Sequence, residues 1–343
     1  ATGYMGGEAL RILLEHPEVE IAWATSRKEQ LLGDQHRNLF GIDLDFIRPE
    51  DAGVADVVFF AAPTGTAMDE CQRFLDMGAK VIDLGSDFRL RDRSQWERVY
   101  GRTHSCWNVA EEAVYGIPEL YRSDIKNARV IANPGCMSSA TILGLAPLAK
   151  EKLIELDKIV VDGISSSGAA GAALDVTMHH PEVGNNVVPY NVVNHRHSYE
   201  MEQELGLLAE AKVTVHFTPV YIPITRGILV NCHCFPTRAT SRQEVLELYH
   251  DFYAGESFVT VFDLPKEQGA SWQYKPYPWV AMVSGTNHCQ IGLDYDEQRN
   301  RLVVFSVLDS LGKGGAHVGV QNLNLICNLD ERTGLGRRGN HPY

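Results

Sequence analysis

The sequence predicts an α/β protein, a Rossmann-type doubly wound parallel sheet joined to a second, α+β domain with a mixed sheet. Three observations carry this. Through the first third of the chain, short apolar runs alternate with helical stretches, the pattern of buried parallel strands linked by crossover helices. Beyond Leu148 the apolar runs become β-branched and are separated by longer loops, as a mixed or antiparallel sheet requires. A length of 343 residues with 44% hydrophobic content fills about two cores.

Taken in order, the first domain is expected to place strands at Val19–Ala24, Val57–Ala62, Lys80–Leu84 and Arg129–Ala132, with helices over Glu8–Glu15 and Met68–Met77. The chain opens on Ala1-Thr2-Gly3-Tyr4-Met5-Gly6-Gly7, a turn and helix start. A dinucleotide fold needs an apolar strand before that turn, so a short N-terminal segment is expected to be absent from this numbering. In the second domain the strands are expected at Lys158–Asp162, Val213–Thr218, Gly227–Phe235 and Leu302–Val307. Trp272–Trp279, rich in Pro, Tyr and Trp, reads as a structured loop, and Gly312-Lys313-Gly314-Gly315 opens a last helix running through Gln321-Asn322-Leu323-Asn324. No internal repeat or low-complexity tract is visible.

A net charge of −13 without any basic block excludes a protein whose main partner is nucleic acid or an anionic membrane. It does not exclude small anionic substrates, which a few local donors grip. The seven cysteines are odd in number, scattered and without C-x-x-C spacing, which argues against a disulfide framework or a zinc site and for a reducing, cytoplasmic setting. No apolar run approaches the roughly 18 residues of a membrane span, and no leader pattern opens the chain.

Gly3, Gly6 and Gly7 sit where a strand-to-helix turn would meet a pyrophosphate, since glycine lets the backbone approach and the helix N-terminus stabilises negative charge. An ordinary tight turn would look the same. The next strand runs into Thr25-Ser26-Arg27-Lys28 instead of the Asp or Glu that would hold an unphosphorylated ribose. Hydroxyls and a guanidinium suit a 2′-phosphate, so the reading favours NADP(H) over NAD(H), against the alternative of a solvated polar loop.

Asn133-Pro134-Gly135-Cys136-Met137-Ser138 is the sharpest local feature. It follows an apolar strand, and Pro134-Gly135 forces a turn before a helix-forming run, which puts Cys136 at or near a helix N-terminus where the dipole favours thiolate. That is what a cysteine nucleophile needs; a buried, inert thiol is the other reading. Asn194-His195-Arg196-His197 precedes an acidic helix start and offers two candidates for general acid/base work, with Arg196 as an anion ligand. His179, His180 and Glu182 could join the pair in a metal site, the basis of a rival reading as a metal-dependent hydrolase. Cys232-His233-Cys234 lies in a strand-like run and reads as packing. Ser165-Ser166-Ser167-Gly168-Ala169-Ala170-Gly171 could donate N–H and O–H groups to a carboxylate or phosphate, and Arg226 of Thr225-Arg226-Gly227 could clamp an anion.

Together and in this order these motifs resemble the N-acetyl-γ-glutamyl-phosphate reductase family of arginine biosynthesis, over essentially the whole chain. The matching pieces are Ala1-Thr2-Gly3-Tyr4 with Gly6, Ala62-Pro63-Thr64-Gly65, Asp83-Leu84-Gly85-Ser86-Asp87-Phe88-Arg89-Leu90, Tyr115 to Leu120 and Asn133 to Cys136. They continue with His195-Arg196-His197, Arg226-Gly227-Ile228 and Gly312-Lys313-Gly314 through Asn324. The resemblance implies an NADP-binding domain over 1–137 and 313–343 and a catalytic and dimerisation domain over 138–312. It implies cofactor contacts from Thr2, Gly3, Tyr4, Gly6, Ser26, Arg27, Pro63, Ser86 and Asn322, and substrate contacts from Arg89, Asn133, Ser167, Gly168, Arg196 and Arg226. Cys136 would form a thioester from the acyl phosphate, and one of His195 and His197 would act as acid/base, His197 being preferred for its place at the helix start. No metal is expected, and a homodimer or homotetramer is. Thr64 departs from the usual residue after Pro63, and Ser165–Gly171 with His179-His180-Pro181-Glu182 also resemble relatives that reduce an aminoadipyl or glutamyl phosphate held on an acidic carrier protein. Aspartate-semialdehyde dehydrogenase and a non-catalytic NADP sensor are the remaining rivals.

Overall fold

The computed structural model describes residues 1–28, 30–263, 277–336 and 338–341. The chain forms two compact units, one of Ala1–Pro134, Gly171–Ala173 and Gly315–Leu335, the other of Gly135–Ala170, Leu174–Gly314 and Gly336–Tyr343.

The first unit runs α1 (Tyr4–Leu13), β1 (Ala24–Thr25), α2 (Leu32–Gln35), β2 (Phe46–Ile47), β3 (Val57–Phe60), α3 (Thr66–Asp76), β4 (Lys80–Asp83), α4 (Arg93–Tyr100), α5 (Trp107–Glu112), β5 (Val114–Tyr115), α6 (Pro118–Asn127) and β6 (Val130–Ala132), and is completed by the helix His317–Ile326. Every strand pair is parallel: β1 with β2, and four strands in the order β3-β4-β6-β5. The β4 and β6 residues Val81, Ile82, Val130 and Ile131 are fully buried, which is why these runs are apolar without alternation. The expected strand Val19–Ala24 is shorter than its apolar pattern. Only Ala24–Thr25 pairs, because among the described residues no strand lies between this run and β3. The facing walls, Ile21 to Ser26 on one side and Val57 to Ala62 on the other, instead line a cavity of about 1430 Å³.

In the second unit, α7 (Cys136–Lys150), β7 (Ile159–Ser166), α8 (His180–Val183), β8 (Val188–Pro189), α9 (Arg196–Ala209), β9 (Val215–Ile222), β10 (Ile228–Cys234), α10 (Arg242–Phe252), β11 (Val259–Val261), β12 (Cys289–Asp296) and β13 (Arg301–Leu308) follow in turn. Seven strands form one mixed sheet in the order β11-β12-β13-β10-β7-β9-β8. Helix α7 is apolar all round and buried from Met137 to Ala149, as a helix walled in by neighbours must be. It packs against α9, β10 and β13. On β10 the thiols of Cys232 and Cys234 are buried while His233 faces the other way, 3.5 Å from Asp162. Strand β12 is not among the expected strands, although Cys289, Ile291, Leu293 and Tyr295 alternate with Gln290, Gly292, Asp294 and Asp296 as a half-buried strand does. Of the loop expected over Trp272–Trp279, residues 272–276 lie outside the described residues, and the Tyr277 hydroxyl donates to Asp294 (2.6 Å). Among the described residues no helix is long and apolar enough to cross a membrane.

Candidate active site

Cys136 is the first residue of α7, with Gly135 as a helix cap that offers no side-chain acceptor. The N–H groups of that first turn, which have no intrahelical acceptor, therefore lie at the thiol's end of the helix. Helix α9 supplies the rest. Glu200, fully buried, accepts the Gly135 N–H (2.9 Å), and His197 lies over the same glycine. A Cβ on Gly135 would stand 2.5 Å from His197 Nε2 and 2.9 Å from Glu200 Oε1, so any larger residue would push these side chains aside, and glycine serves here by its lack of volume, its φ of −69° being ordinary. Gly314 closes the other side, its absent Cβ only 2.8 Å from that of Cys136, and its N–H donates to the Asp309 carbonyl (2.9 Å).

His195 caps α9: its Nδ1 accepts the His197 N–H (3.1 Å), which fixes the neutral ring as the Nε2–H tautomer. Burial, reinforced by the Arg196 charge, lowers its pKa to about 4, so His195 is neutral at physiological pH. The two imidazoles meet edge to face with centroids 4.8 Å apart. His195 also meets Tyr190 edge to face, and Tyr190 stacks flat on Tyr221 with centroids 4.0 Å apart. Burial pushes both phenols up, and each lies within the electrostatic reach of Cys136 and Arg196. Arg196 itself is exposed between its two buried histidine neighbours.

Ser167, Gly168 and Arg226 meet in a second cluster. Ser167 donates its hydroxyl and its N–H to the Ile224 carbonyl (both 3.0 Å), and a Cβ on Gly168 would lie 2.2 Å from the Thr225 carbonyl oxygen. Gly227, at φ +110°, lets the chain turn there. Arg226 Nε donates to the buried Asp309 (2.8 Å), leaving part of the guanidinium exposed.

In the first unit, the polar residues expected at the ends of the strands form a buried scaffold. Arg89 donates to the carbonyls of Asn133 (2.8 Å) and Leu84 (3.2 Å), Asn133 donates to Gly315 (3.0 Å), and Asn322 donates to Gly116 (3.1 Å). Asp87 caps the start of α3, accepting the Gly65 and Met68 N–H groups (2.7 and 3.0 Å), while Ser86 shares a hydroxyl hydrogen bond with Thr64 (2.8 Å). Burial and the neighbouring Asp87 raise the Asp83 carboxyl to about 7. Pro63 is exposed beside this loop.

The N-terminus of α1 fits a dinucleotide. Gly3 caps it with no side-chain acceptor, and a Cβ there would meet open space. Gly6 is held tight, since its Cβ would lie 2.7 Å from the Ala1 carbonyl oxygen. Thr2, Gly3, Gly6, Ser26, Arg27 and Pro63 all line the large cavity, and Tyr4 is half exposed. Among the described residues no group of three His, Cys, Asp or Glu side chains stands close enough to hold a metal ion, His179, His180 and Glu182 included. Sequence reasoning singled out none of Glu200, Tyr190, Tyr221 and Asp309 as site residues. Only Glu200 had a signal, three residues after His197 and so one turn along the same helix face.

A parallel-sheet unit followed by a mixed-sheet unit is the arrangement of the semialdehyde dehydrogenases. The family model for the semialdehyde dehydrogenase NAD binding domain matches residues 1–128, and that for the dimerisation domain matches 136–310. The fold agrees with aspartate semialdehyde dehydrogenase II from Vibrio cholerae (TM-score 0.69, 18% identity, 96% of each chain). The chain belongs, within that class, to the N-acetyl-gamma-glutamyl-phosphate reductase family. It is 40% identical to the N-acetyl-gamma-glutamyl-phosphate reductase of Pelotomaculum thermopropionicum over 100% of this chain and 97% of the relative. It is 41% identical to that of Archaeoglobus fulgidus over 98% and 96%. Residues 1–128 are thus a nicotinamide-dinucleotide-binding domain.

Proposed function

We propose that the protein catalyses the NADPH-dependent reduction of N-acetyl-γ-glutamyl phosphate to N-acetylglutamate semialdehyde and phosphate. The observation that carries this is Cys136 at the first position of α7, with His197 and Glu200 packed on the preceding glycine. The Cys136 thiolate attacks the acyl carbon, the C–O bond to phosphate breaks with its electron pair, and a thioester remains. A dihydronicotinamide held in the first unit would supply the hydride that this acyl carbon accepts. His197 donates a proton to the oxyanion so formed and takes it back as the thiohemiacetal collapses, the carbon–sulfur bond breaking to return the thiolate. His195, neutral and bound to the backbone of α9, positions His197. Arg226, Ser167 and Gly168 form the anion-facing side of the substrate site, with Arg196 at its exposed edge.

NADPH is the cofactor in this reading because Ser26 and Arg27 replace an acidic ribose ligand. In this reading the nucleotide is held over 1–137 and 313–343, and the chemistry and dimerisation belong to 138–312. Alternate residues of β7 and β9, among them Val160, His216 and Thr218, are exposed while their neighbours are buried, which supports a second copy of the chain on that sheet face. Seven free cysteines support a reducing compartment such as the cytoplasm.

The test is turnover of N-acetyl-γ-glutamyl phosphate beside aspartyl phosphate and a carrier-protein-linked glutamyl or aminoadipyl phosphate, each with NADPH and NADH. A kcat/KM at least about 100-fold higher for the N-acetyl substrate with NADPH is expected. Preference for a carrier-linked substrate would replace the proposed one.

A further inference from the structure

We propose that Arg48 is a second guanidinium of the site that distinguishes NADPH from NADH, joining Ser26 and Arg27 around the adenosine 2′-phosphate. This inference rests on the cofactor reading above. The parallel pairing of β1 with β2 creates the juxtaposition. Thr25 is in register with Ile47, and the Ser26 N–H donates to the Ile47 carbonyl (3.0 Å), so the pairing continues past the end of β1. Parallel strands leave a sheet at the same end. Ser26-Arg27 and Arg48 therefore emerge side by side at the carboxyl ends of their strands, where open α/β sheets bind ligands.

The contacts fix this arrangement. Arg48 Nη1 donates to the Arg27 carbonyl (2.5 Å), which ties the guanidinium to the turn while the side chain stays exposed. Ser26 is buried, and its hydroxyl accepts the Lys28 N–H (3.1 Å) and the Gln30 amide (3.3 Å), so the turn is shaped around it. Ser26, Arg27 and Pro49 line the same cavity as Thr2, Gly3 and Gly6 at the start of α1. A phosphate dianion prefers two planar, forked guanidinium groups to one.

Calorimetric titration of the folded protein with 2′,5′-ADP and with 5′-AMP isolates the extra phosphate. Arg48→Ala is expected to weaken 2′,5′-ADP by about 10- to 100-fold and to leave 5′-AMP within twofold, with Arg48→Lys recovering part of the loss. The ratio of NADPH to NADH dissociation constants should shift by the same factor. Equal weakening of both probes would make Arg48 a backbone staple and overturn the proposal. If Arg27→Ala removes the preference for 2′,5′-ADP while Arg48→Ala keeps it, the Arg48 assignment falls and the NADPH reading stands. If the unaltered protein binds both probes equally, both fall.

Discussion

Helices α1 and α7 begin alike and, in the proposed function, do opposite things. Each starts from a glycine in extended conformation, Gly3 or Gly135, that provides no side-chain cap. Around Gly3 there is open space, whereas around Gly135 a single added carbon would collide with His197 and Glu200. An uncapped helix start facing space is a receptacle for an anion from outside. An uncapped start walled by an imidazole and a carboxylate is a holder for a group of the chain itself, here the Cys136 thiol. In that reading the same local chemistry serves a binding site or a reaction centre according to what tertiary packing leaves beside it.

The sharpest way to break this comparison is Cys136→Ser. Turnover should fall by at least about four orders of magnitude, while dinucleotide affinity, read by fluorescence titration, stays within twofold. Iodoacetamide labelling of the unaltered protein at pH 7 should reach Cys136 first. Burial raises the thiols of Cys71, Cys232, Cys234 and Cys327, Cys234 to about 12. A variant that keeps its activity would move the chemistry away from α7.

Next in size is the pair of histidines. His197→Asn should lower kcat by about 10²- to 10⁴-fold with little change in KM. His195→Asn should cost about tenfold, because Asn can still cap the helix and no proton carrier is lost, but the imidazole packed edge to face on His197 is removed. Steady-state kinetics giving the reverse ranking would exchange their roles.

The glycines test the comparison itself. Gly135→Ala should lower kcat about 100-fold by displacing the His197 ring, with dinucleotide affinity unchanged. Gly3→Ala, at φ −82°, should fold normally and leave kcat alone while weakening the dinucleotide about tenfold. Equal effects of the two substitutions on both readouts would erase the distinction.

The smallest expected effect is a pH dependence. His195 carries a pKa lowered from 6.5 to about 4, so the unfolded chain binds its proton first, and the stability this residue contributes is complete above pH 6.5 and lost as pH falls toward 4. The limit is on the order of 3 kcal/mol. Asp83, raised from 3.8 to about 7, contributes with the opposite sign over the same window, losing stability as pH rises. The two tend to cancel in the unaltered protein. Urea midpoints at pH 5 and pH 7 should therefore show His195→Asn gaining stability relative to the unaltered chain at the lower pH, and a constant difference would refute the burial argument.

Much of this was legible in the residues. The apolar runs at Val57, Lys80 and Val130 became parallel strands because burial on both faces demands unbroken hydrophobicity, and Pro134-Gly135 announced the helix that Cys136 begins. The run from Val19 failed as a full strand because a strand is a relation between two chains, and the described residues provide no partner beside most of it.

The sequence by itself determined which local structures form: the strand–turn–helix at Gly135, the acid-rich helix after His197, and the absence of an acidic ribose ligand after β1. Those outcomes follow from short-range sterics, capping and periodicity, which neighbours in sequence control. Only the tertiary structure decided that Glu200 would hold the Gly135 N–H, that Tyr190 would stack on Tyr221, that Asp309 would pair with Arg226, and that Arg48 would stand beside Arg27. These partners are 65, 31, 83 and 21 residues apart. Sheet register and helix packing bring such groups together, and no local propensity encodes either.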